Sequence, residues 1–129
     1  MTVVVDASAM SEVLMGTDLG AAVVGVLDAQ DMHAPHILVT ECAAVLRRLN
    51  LAGRLEAGRG AVALRDLADL PWTLWDSTPV LPRVWALRNN VTAYDATYVA
   101  LAEWIGAPLV TTDRRLAAAV PRTCQLVTT

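Results

Sequence analysis

The chain has 129 residues, of which 55% are hydrophobic and 18% are charged, and its formal net charge is −3. This length and composition predict a single folded domain over residues 1–129 and exclude disordered and low-complexity classes. All ten basic residues are arginines, and the absence of lysine excludes a P-loop nucleotide site and Schiff-base chemistry.

Short β-rich runs alternate with longer helical patterns along the whole chain. In chain order, the predicted elements are strand 2–5, a helix from about residue 9, helix 19–29, strand 32–34, helix 37–52, helix 55–67, strand 72–75, helix 79–88, a helix capped by Thr92 that ends near Gly106, strand 109–112, helix 114–119 and strand 125–127. Strands that alternate with helices predict an α/β fold in which helices cover a parallel sheet.

Four acidic residues fall at the ends of these elements. Asp6 ends the first strand and Asp113 the fourth, and ligands of open α/β sheets bind beyond the carboxyl ends of strands. Asp95 and Glu41 lie in the first turns of two helices. Each acid alone also has a structural interpretation: Asp6 and Asp113 as helix N-caps, Asp95 as part of a capping box with Thr92, and Glu41 as a solvated helix residue.

Considered together, the acids favour a metal site. Asp6 and Asp95 are embedded in apolar sequence, where a lone charge is costly. Several carboxylates at one end of a sheet repel one another unless a cation neutralises them. Because all the candidate ligands are oxygens, the pattern favours Mg²⁺, with Mn²⁺ as a possible substitute, over zinc.

Four segments in this order and spacing resemble the PIN-domain family, and more narrowly the VapC ribonuclease toxins of bacterial toxin–antitoxin pairs. They are residues 3–8 with Asp6 and Ser8, Glu41 on a helix that ends in Leu-Arg-Arg, residues 93–102 with Tyr94-Asp95-Ala96, and residues 111–116 with Thr-Thr-Asp-Arg-Arg-Leu. The resemblance covers nearly the whole chain, and the last two segments are its most specific parts.

The resemblance implies an α/β/α sandwich with a parallel sheet of four or five strands and a Mg²⁺-dependent endoribonuclease that uses metal-activated water. It implies that the catalytic and metal-binding residues are Asp6, Glu41, Asp95 and Asp113, with supporting hydroxyls at Ser8, Thr111 and Thr112. The implied partners are RNA and a cognate VapB-like antitoxin. Arg115 stands where some PIN domains carry a further acid, which weakens the case for a second metal ion.

The arginines are unevenly distributed. Five of the ten lie between residues 47 and 65, against one acid, Glu56. We expect Arg47 and Arg48 in this stretch to contact RNA phosphates or an antitoxin, although a solvated helical face is an equally good interpretation. Arg114 and Arg115 adjoin Asp113 and are better placed to contact the scissile strand or an antitoxin carboxylate.

Further expectations concern partners, location and competing sites. The apolar excess suggests a homodimer face and a groove for an antitoxin helix. No stretch has the pattern of a signal peptide or a membrane span, which predicts a cytoplasmic protein with two free thiols, at Cys42 and Cys124. Most of the four tryptophans are expected in the core. His33 and His36 with Cys42 hint at zinc, but their spacing fits no standard finger.

The alternative to an enzyme is a PIN-like module that binds RNA or protein without cutting. The presence of all four acids argues against this alternative, and a metal-binding titration would discriminate between the two.

Overall fold

The computed structural model describes all residues from Met1 to Thr129. The strands are β1 (Thr2–Val5), β2 (Asp31–Pro35), β3 (Thr73–Trp75), β4 (Leu109–Thr111) and β5 (Cys124–Leu126). The helices are α1 (Ala7–Met15), α2 (Asp18–Leu27), α3 (Ile37–Leu51), α4 (Ala57–Asp69), α5 (Leu81–Ala86), α6 (Ala93–Ile105) and α7 (Arg114–Ala119), and a 3₁₀ turn at Thr78–Val80 precedes α5. Every predicted strand and helix is present, with boundaries that differ by a few residues.

The largest difference lies in the predicted helix over residues 79–88. In the structure this segment is the 3₁₀ turn followed by the six-residue helix α5, and residues after Ala86 form turns. Pro79 and Pro82 both fall in the segment, and proline has no backbone N–H to donate to a helical hydrogen bond. Two prolines in four residues therefore shorten the helix.

The five strands form one parallel sheet in the order β3-β2-β1-β4-β5. β1 is central, and its Val3, Val4 and Val5 are buried, as a strand covered on both faces requires. From β1 the chain winds outward to β3, then returns across the sheet to β4 and β5. The carboxyl ends of β1 and β4 therefore meet at the point where the winding reverses, the usual ligand site of open parallel sheets.

The helices cover both faces of the sheet. Because parallel crossovers are right-handed, the two winding directions place α1–α4 on one face and α5–α7 on the other. In agreement, α1 packs against α2, α3 and α4, whereas α6 packs against α5 and contacts β1, β2 and β4. The architecture is the α/β/α sandwich that the sequence resemblance implies, with five strands.

A tight corner joins α1 to α2. Gly16 ends α1 with φ +66°, in the left-handed region that glycine adopts without strain, and its N–H donates to the Glu12 and Val13 carbonyls. A Cβ at Gly20 would clash with the Glu12 carbonyl oxygen. The absence of a side chain at Gly20 therefore lets α2 approach the backbone of α1.

Other sequence predictions have mixed outcomes. Cys42 and Cys124 are both free thiols, although only Cys42 is fully buried. The expectation that most tryptophans lie in the core is wrong, because Trp85 and Trp104 are 69% and 64% exposed. No helix alone has the length and apolarity to cross a membrane; α1 and α2 reach the criterion only as a pair, bent by 117°.

Candidate active site

Asp6 is the central buried acid. It follows β1 directly, is only 4% exposed, and caps α1 by accepting a hydrogen bond from the Ala9 N–H at 2.9 Å. The Ser8 hydroxyl donates to the same oxygen, Oδ1, at 2.7 Å. The Thr111 hydroxyl, at the end of β4, donates to Oδ2 at 2.5 Å. The structural interpretation as an N-cap is thus correct, but it describes only one of three contacts.

The hydroxyls of Ser8 and Thr111 link the ends of β1 and β4 through hydrogen bonds. Since each donates its single proton to Asp6, each can only accept elsewhere, and Ser8 Oγ accepts from the Thr112 N–H at 3.1 Å while Thr111 Oγ1 accepts from the Asp113 N–H at 3.0 Å. The structure thus places the Ser8 and Thr111 hydroxyls in contact with Asp6. Thr112 participates through its backbone N–H rather than through the hydroxyl that the sequence analysis singled out.

Burial dominates the electrostatics of Asp6. Desolvation raises its pKa from 3.8 to about 6, against the lowering effect of the hydrogen bonds from Thr111, Ala9 and Ser8, and the charge of Asp95 adds a smaller upward contribution. The protein therefore holds a carboxylate where its charge is unfavourable. A positive group beside Asp6 would relieve this cost.

Glu41 is held by a tyrosine. It lies in the second turn of α3, is partly buried, and accepts a hydrogen bond at Oε1 from the Tyr98 hydroxyl at 2.6 Å. Burial raises the pKa of Glu41, the Tyr98 hydrogen bond lowers it, and the negative charge of Asp95 raises it. The sequence analysis did not identify Tyr98, although its position three residues after Asp95 on the same helix was a usable signal.

Asp95 and Asp113 occupy the starts of two helices. Thr92 caps α6 by accepting from the Asp95 backbone N–H at 3.1 Å, which is one half of the capping box that the sequence analysis considered. Asp113 caps α7 by accepting from the N–H groups of Arg115 and Leu116 at 2.9 and 3.3 Å. Burial and the charge of Asp113 raise the pKa of Asp95, while Thr92 and Arg115 lower it.

Asp95 is the electrostatic centre of the four acids. Its charge raises the pKa of Asp6 and of Glu41, and Asp113 in turn raises the pKa of Asp95. The structure therefore brings all four predicted acids into one mutually repelling group. Even so, no three or more His, Cys, Asp or Glu side chains are gathered tightly enough to hold one metal ion between them.

This all-oxygen donor set suits a hard divalent cation better than zinc. Mg²⁺ usually keeps several waters and takes only one or two protein carboxylates, so it does not need a cage of three. The zinc alternative fails because His33 is hydrogen-bonded to Trp75 and Asp31, at 2.9 and 2.8 Å, and Cys42 is buried beside the Ser11 hydroxyl.

A cleft of about 480 Å³ opens beside the acids, and Asp95 and Asp113 both line it. Of the four arginines predicted to contact RNA or an antitoxin, only Arg115 lines this cleft; Arg47, Arg48 and Arg114 are exposed outside it. The sequence analysis missed Arg88, Asn89 and Asn90, which line the cleft from the turn before α6. Their polarity just before the Asp95 helix was a usable signal, but the sequence analysis ended a helix at residue 88 and gave residues 88–90 no role in the site.

Comparison with known proteins agrees with this architecture. The PIN domain family matches residues 3–120. Ribonuclease VapC9 of Mycobacterium tuberculosis is 40% identical over 114 residues, which cover 88% of this chain and 87% of that protein. Ribonuclease VapC1 of the same species is 40% identical over 128 residues, with coverages of 95% and 94%.

A solved structure shares the fold. The crystal structure of PAE2754 from Pyrobaculum aerophilum superposes with a TM-score of 0.73 at 22% identity and covers 96% of this chain and 83% of that one. Because the family match spans most of the chain and the relatives exceed 30% identity over nearly their full length, the chain belongs to the PIN-domain family, in the branch that contains the VapC ribonucleases.

Proposed function

We propose that this protein is a metal-dependent endoribonuclease and the toxin of a VapBC-type toxin–antitoxin pair. The observation that carries the proposal is the group of four carboxylates at the carboxyl ends of β1 and β4, in which buried Asp6 is held by hydroxyls from two different strands. A cation bound beside Asp6 would offset the cost of keeping this charge buried.

Asp6 and Asp95 are the residues that we expect to hold Mg²⁺, because Asp6 is the most buried acid and Asp95 couples electrostatically to the other three. The bound ion would activate a water molecule and neutralise the charge that develops on the phosphodiester. Glu41 and Asp113 would complete the outer shell of the site.

Glu41 is the best-placed proton acceptor. Tyr98 occupies its Oε1 and fixes the orientation of the carboxylate, which leaves Oε2 free of protein donors. A raised pKa suits a group that must take a proton from water near neutral pH. Water as the nucleophile gives products with a 5′-phosphate and a 3′-hydroxyl.

Control by an antitoxin follows from the charge of the site. An antitoxin arginine placed among the four acids would compete with the metal. Carboxylates of the antitoxin would pair with the exposed side chains of Arg114 and Arg115. Leu51 and Val62 remain exposed on the α3–α4 pair, where an antitoxin helix would cover them. We further propose that the toxin is a homodimer and acts in the cytoplasm, where its RNA substrate and antitoxin are found.

The test is cleavage of RNA by purified protein. Asp6→Asn and Asp95→Asn should each lower cleavage at least about a hundredfold, because the amide keeps the shape and removes the charge that binds the metal. Asp28→Asn is the matched control, since Asp28 is exposed outside the site. Product ends should be 5′-phosphate and 3′-hydroxyl, and excess EDTA should stop the reaction.

The same variants test the toxin assignment in cells. Expression of the wild type and of Asp28→Asn should arrest growth, Asp6→Asn should not, and co-expression of the cognate antitoxin should relieve the arrest. Cleavage that persists in EDTA or in folded Asp6→Asn would refute the metal-dependent mechanism and leave the non-cutting PIN-like module as the better description.

A further inference from the structure

The cleft beside Asp95 and Asp113 has features that the four acids do not explain. Arg88, Asn89, Asn90 and Arg115 are among the residues that line it, and their side chains carry two guanidinium groups and two amides. Its volume of about 480 Å³ lies in the range of pockets that hold a small organic ligand. The cleft is thus an extension of the acidic site and not only a container for a metal ion.

The two arginines of the cleft have no carboxylate partner. The only arginine that forms an ion pair in the structure is Arg83, which binds Glu103 on the surface at 2.8 Å. Arg115 acts on Asp95 through space and lowers its pKa, but makes no ion pair with it. Two unpaired guanidinium groups in a cleft are available for an anionic ligand.

Arg88 is also held in place. Its Nη1 donates to the Trp85 carbonyl at 3.0 Å, and its guanidinium carbon lies 4.7 Å from the centroid of the Trp85 ring. The exposure of Trp85 thus has a structural role, because its ring orients the arginine. The remaining N–H groups of Arg88 can bind a ligand with little further loss of side-chain freedom.

We infer that this cleft binds one nucleotide of single-stranded RNA adjacent to the scissile phosphodiester, with Arg88 and Arg115 on its phosphate and the amides of Asn89 and Asn90 on the edge of its base. The inference rests on the proposed function and adds a nucleotide-binding subsite to the proposed active site. An asparagine amide offers both a donor and an acceptor, the pair of groups that reads the edge of an unpaired base. Because Asp95 and Asp113, which we propose to act on the phosphodiester, line the same cleft, RNA rather than an acidic peptide is its expected occupant.

Binding can be measured without cleavage. In the Asp6→Asn background with EDTA, a fluorescently labelled single-stranded RNA of mixed sequence should bind about tenfold more weakly when Arg88 is changed to alanine. The dependence of log Kd on log salt concentration should also fall by about 0.7, which corresponds to one lost phosphate contact. Arg83→Ala removes the same charge from α5, five residues before Arg88 and outside the cleft, and should change neither quantity.

Cleavage then separates anchoring from base recognition. With metal, Arg88→Ala should raise KM about tenfold with little change in kcat and in the preferred sequence. Asn89→Ala or Asn90→Ala should instead relax the preference at one nucleotide beside the cut, as read by sequencing product ends from a random RNA pool. The assignment would be overturned if Arg88→Ala had the same Kd, salt dependence and KM as Arg83→Ala. It would also be overturned if both asparagine variants kept the wild-type nucleotide preference beside the cut.

These outcomes are distinguishable from failure of the proposed function. If wild-type protein cleaves no RNA while binding still depends on Arg88, the nuclease proposal falls and the nucleotide cleft stands. If wild-type protein cleaves RNA but neither binding nor KM depends on Arg88, the enzyme stands and the cleft belongs to another ligand, such as an acidic segment of the antitoxin.

Discussion

The Tyr98 hydroxyl donates to Glu41 Oε1 at 2.6 Å and so joins α6, on one face of the sheet, to α3 on the other. Tyr98 is itself buried and lies one helical turn after Asp95. Helix α6 therefore carries one acid of the site and the hydroxyl that orients another.

Replacing Tyr98 with phenylalanine should loosen Glu41 without opening a cavity. The loss of a hydrogen bond to a charged group should destabilise the protein by about 1.5–3 kcal/mol. The pKa of Glu41 should rise further, since the Tyr98 hydrogen bond lowers it. We expect RNA cleavage to fall by about tenfold in kcat, with the pH profile shifted upward. Tyr94→Phe on the exposed side of α6 is the control, and equal behaviour of the two variants would contradict this role for Tyr98.

Thr111→Val tests the hydroxyl that joins β4 to β1. Valine preserves the shape but removes the donor to Asp6 Oδ2 and the acceptor for the Asp113 N–H. In this fully buried position we expect a loss of about 1–3 kcal/mol in the free energy of unfolding, with reduced cleavage. Thr112→Val is the matched control, because Thr112 reaches Ser8 only through its backbone. A Thr112 variant as damaged as the Thr111 variant would disprove this assignment.

The raised pKa of Asp6 makes the stability of the metal-free protein depend on pH. The folded protein binds a proton at Asp6 with a pKa of about 6, above the ordinary value of 3.8. The stabilisation from this proton is present below about pH 4 and is lost as the pH rises through about 6. Asparagine does not titrate, so from about pH 4 to about pH 7.5 the stability of Asp6→Asn should improve relative to wild type by about 2 kcal/mol.

Urea unfolding in EDTA measures this difference directly, because other titrating groups are common to both proteins. Wild type and Asp6→Asn are compared at each pH, and only the change in their difference is interpreted. A difference that stays constant with pH would mean that burial does not raise the pKa of Asp6.

Addition of Mg²⁺ should stabilise the wild type at neutral pH. At a concentration one hundred times Kd, binding to the folded state alone contributes about 2.7 kcal/mol. Thermal unfolding should show the shift in wild type and in Asp28→Asn, and most of it should disappear in Asp6→Asn and Asp95→Asn. An equal shift in all four proteins, or with an equal ionic strength of sodium chloride, would indicate a general salt effect.

Local signals made the fold predictable and also drew attention to the four acids. The Thr92 cap, the β-branched run of β1 and the acids that follow β1 and β4 are visible in short segments, and parallel topology brings strand ends together. The partners of the acids were harder to predict because they depend on strand register and helix packing. Thr111 lies 105 positions from Asp6, and Tyr98 lies 57 positions from Glu41.

The cleft was missed for a related reason. Arg88, Asn89 and Asn90 form a turn whose only local signal is that a helix ends, and their position opposite Arg115 arises from how α6 and α7 sit on the sheet. The expectation that most tryptophans lie in the core was wrong for Trp85. Large aromatic residues are usually buried, but the exposed ring of Trp85 packs against the guanidinium group of Arg88.

The central position of β1 has a consequence for how the protein becomes active during folding. β1 and β2 can pair early, but Asp6 lacks its Thr111 partner until β4 has docked on the opposite side of β1. Contacts between residues so distant in sequence carry a large loop-closure cost and are slow to form. A partly folded chain would thus contain Asp6 without its Thr111 hydroxyl, and cutting RNA would be a property of the completed sheet alone.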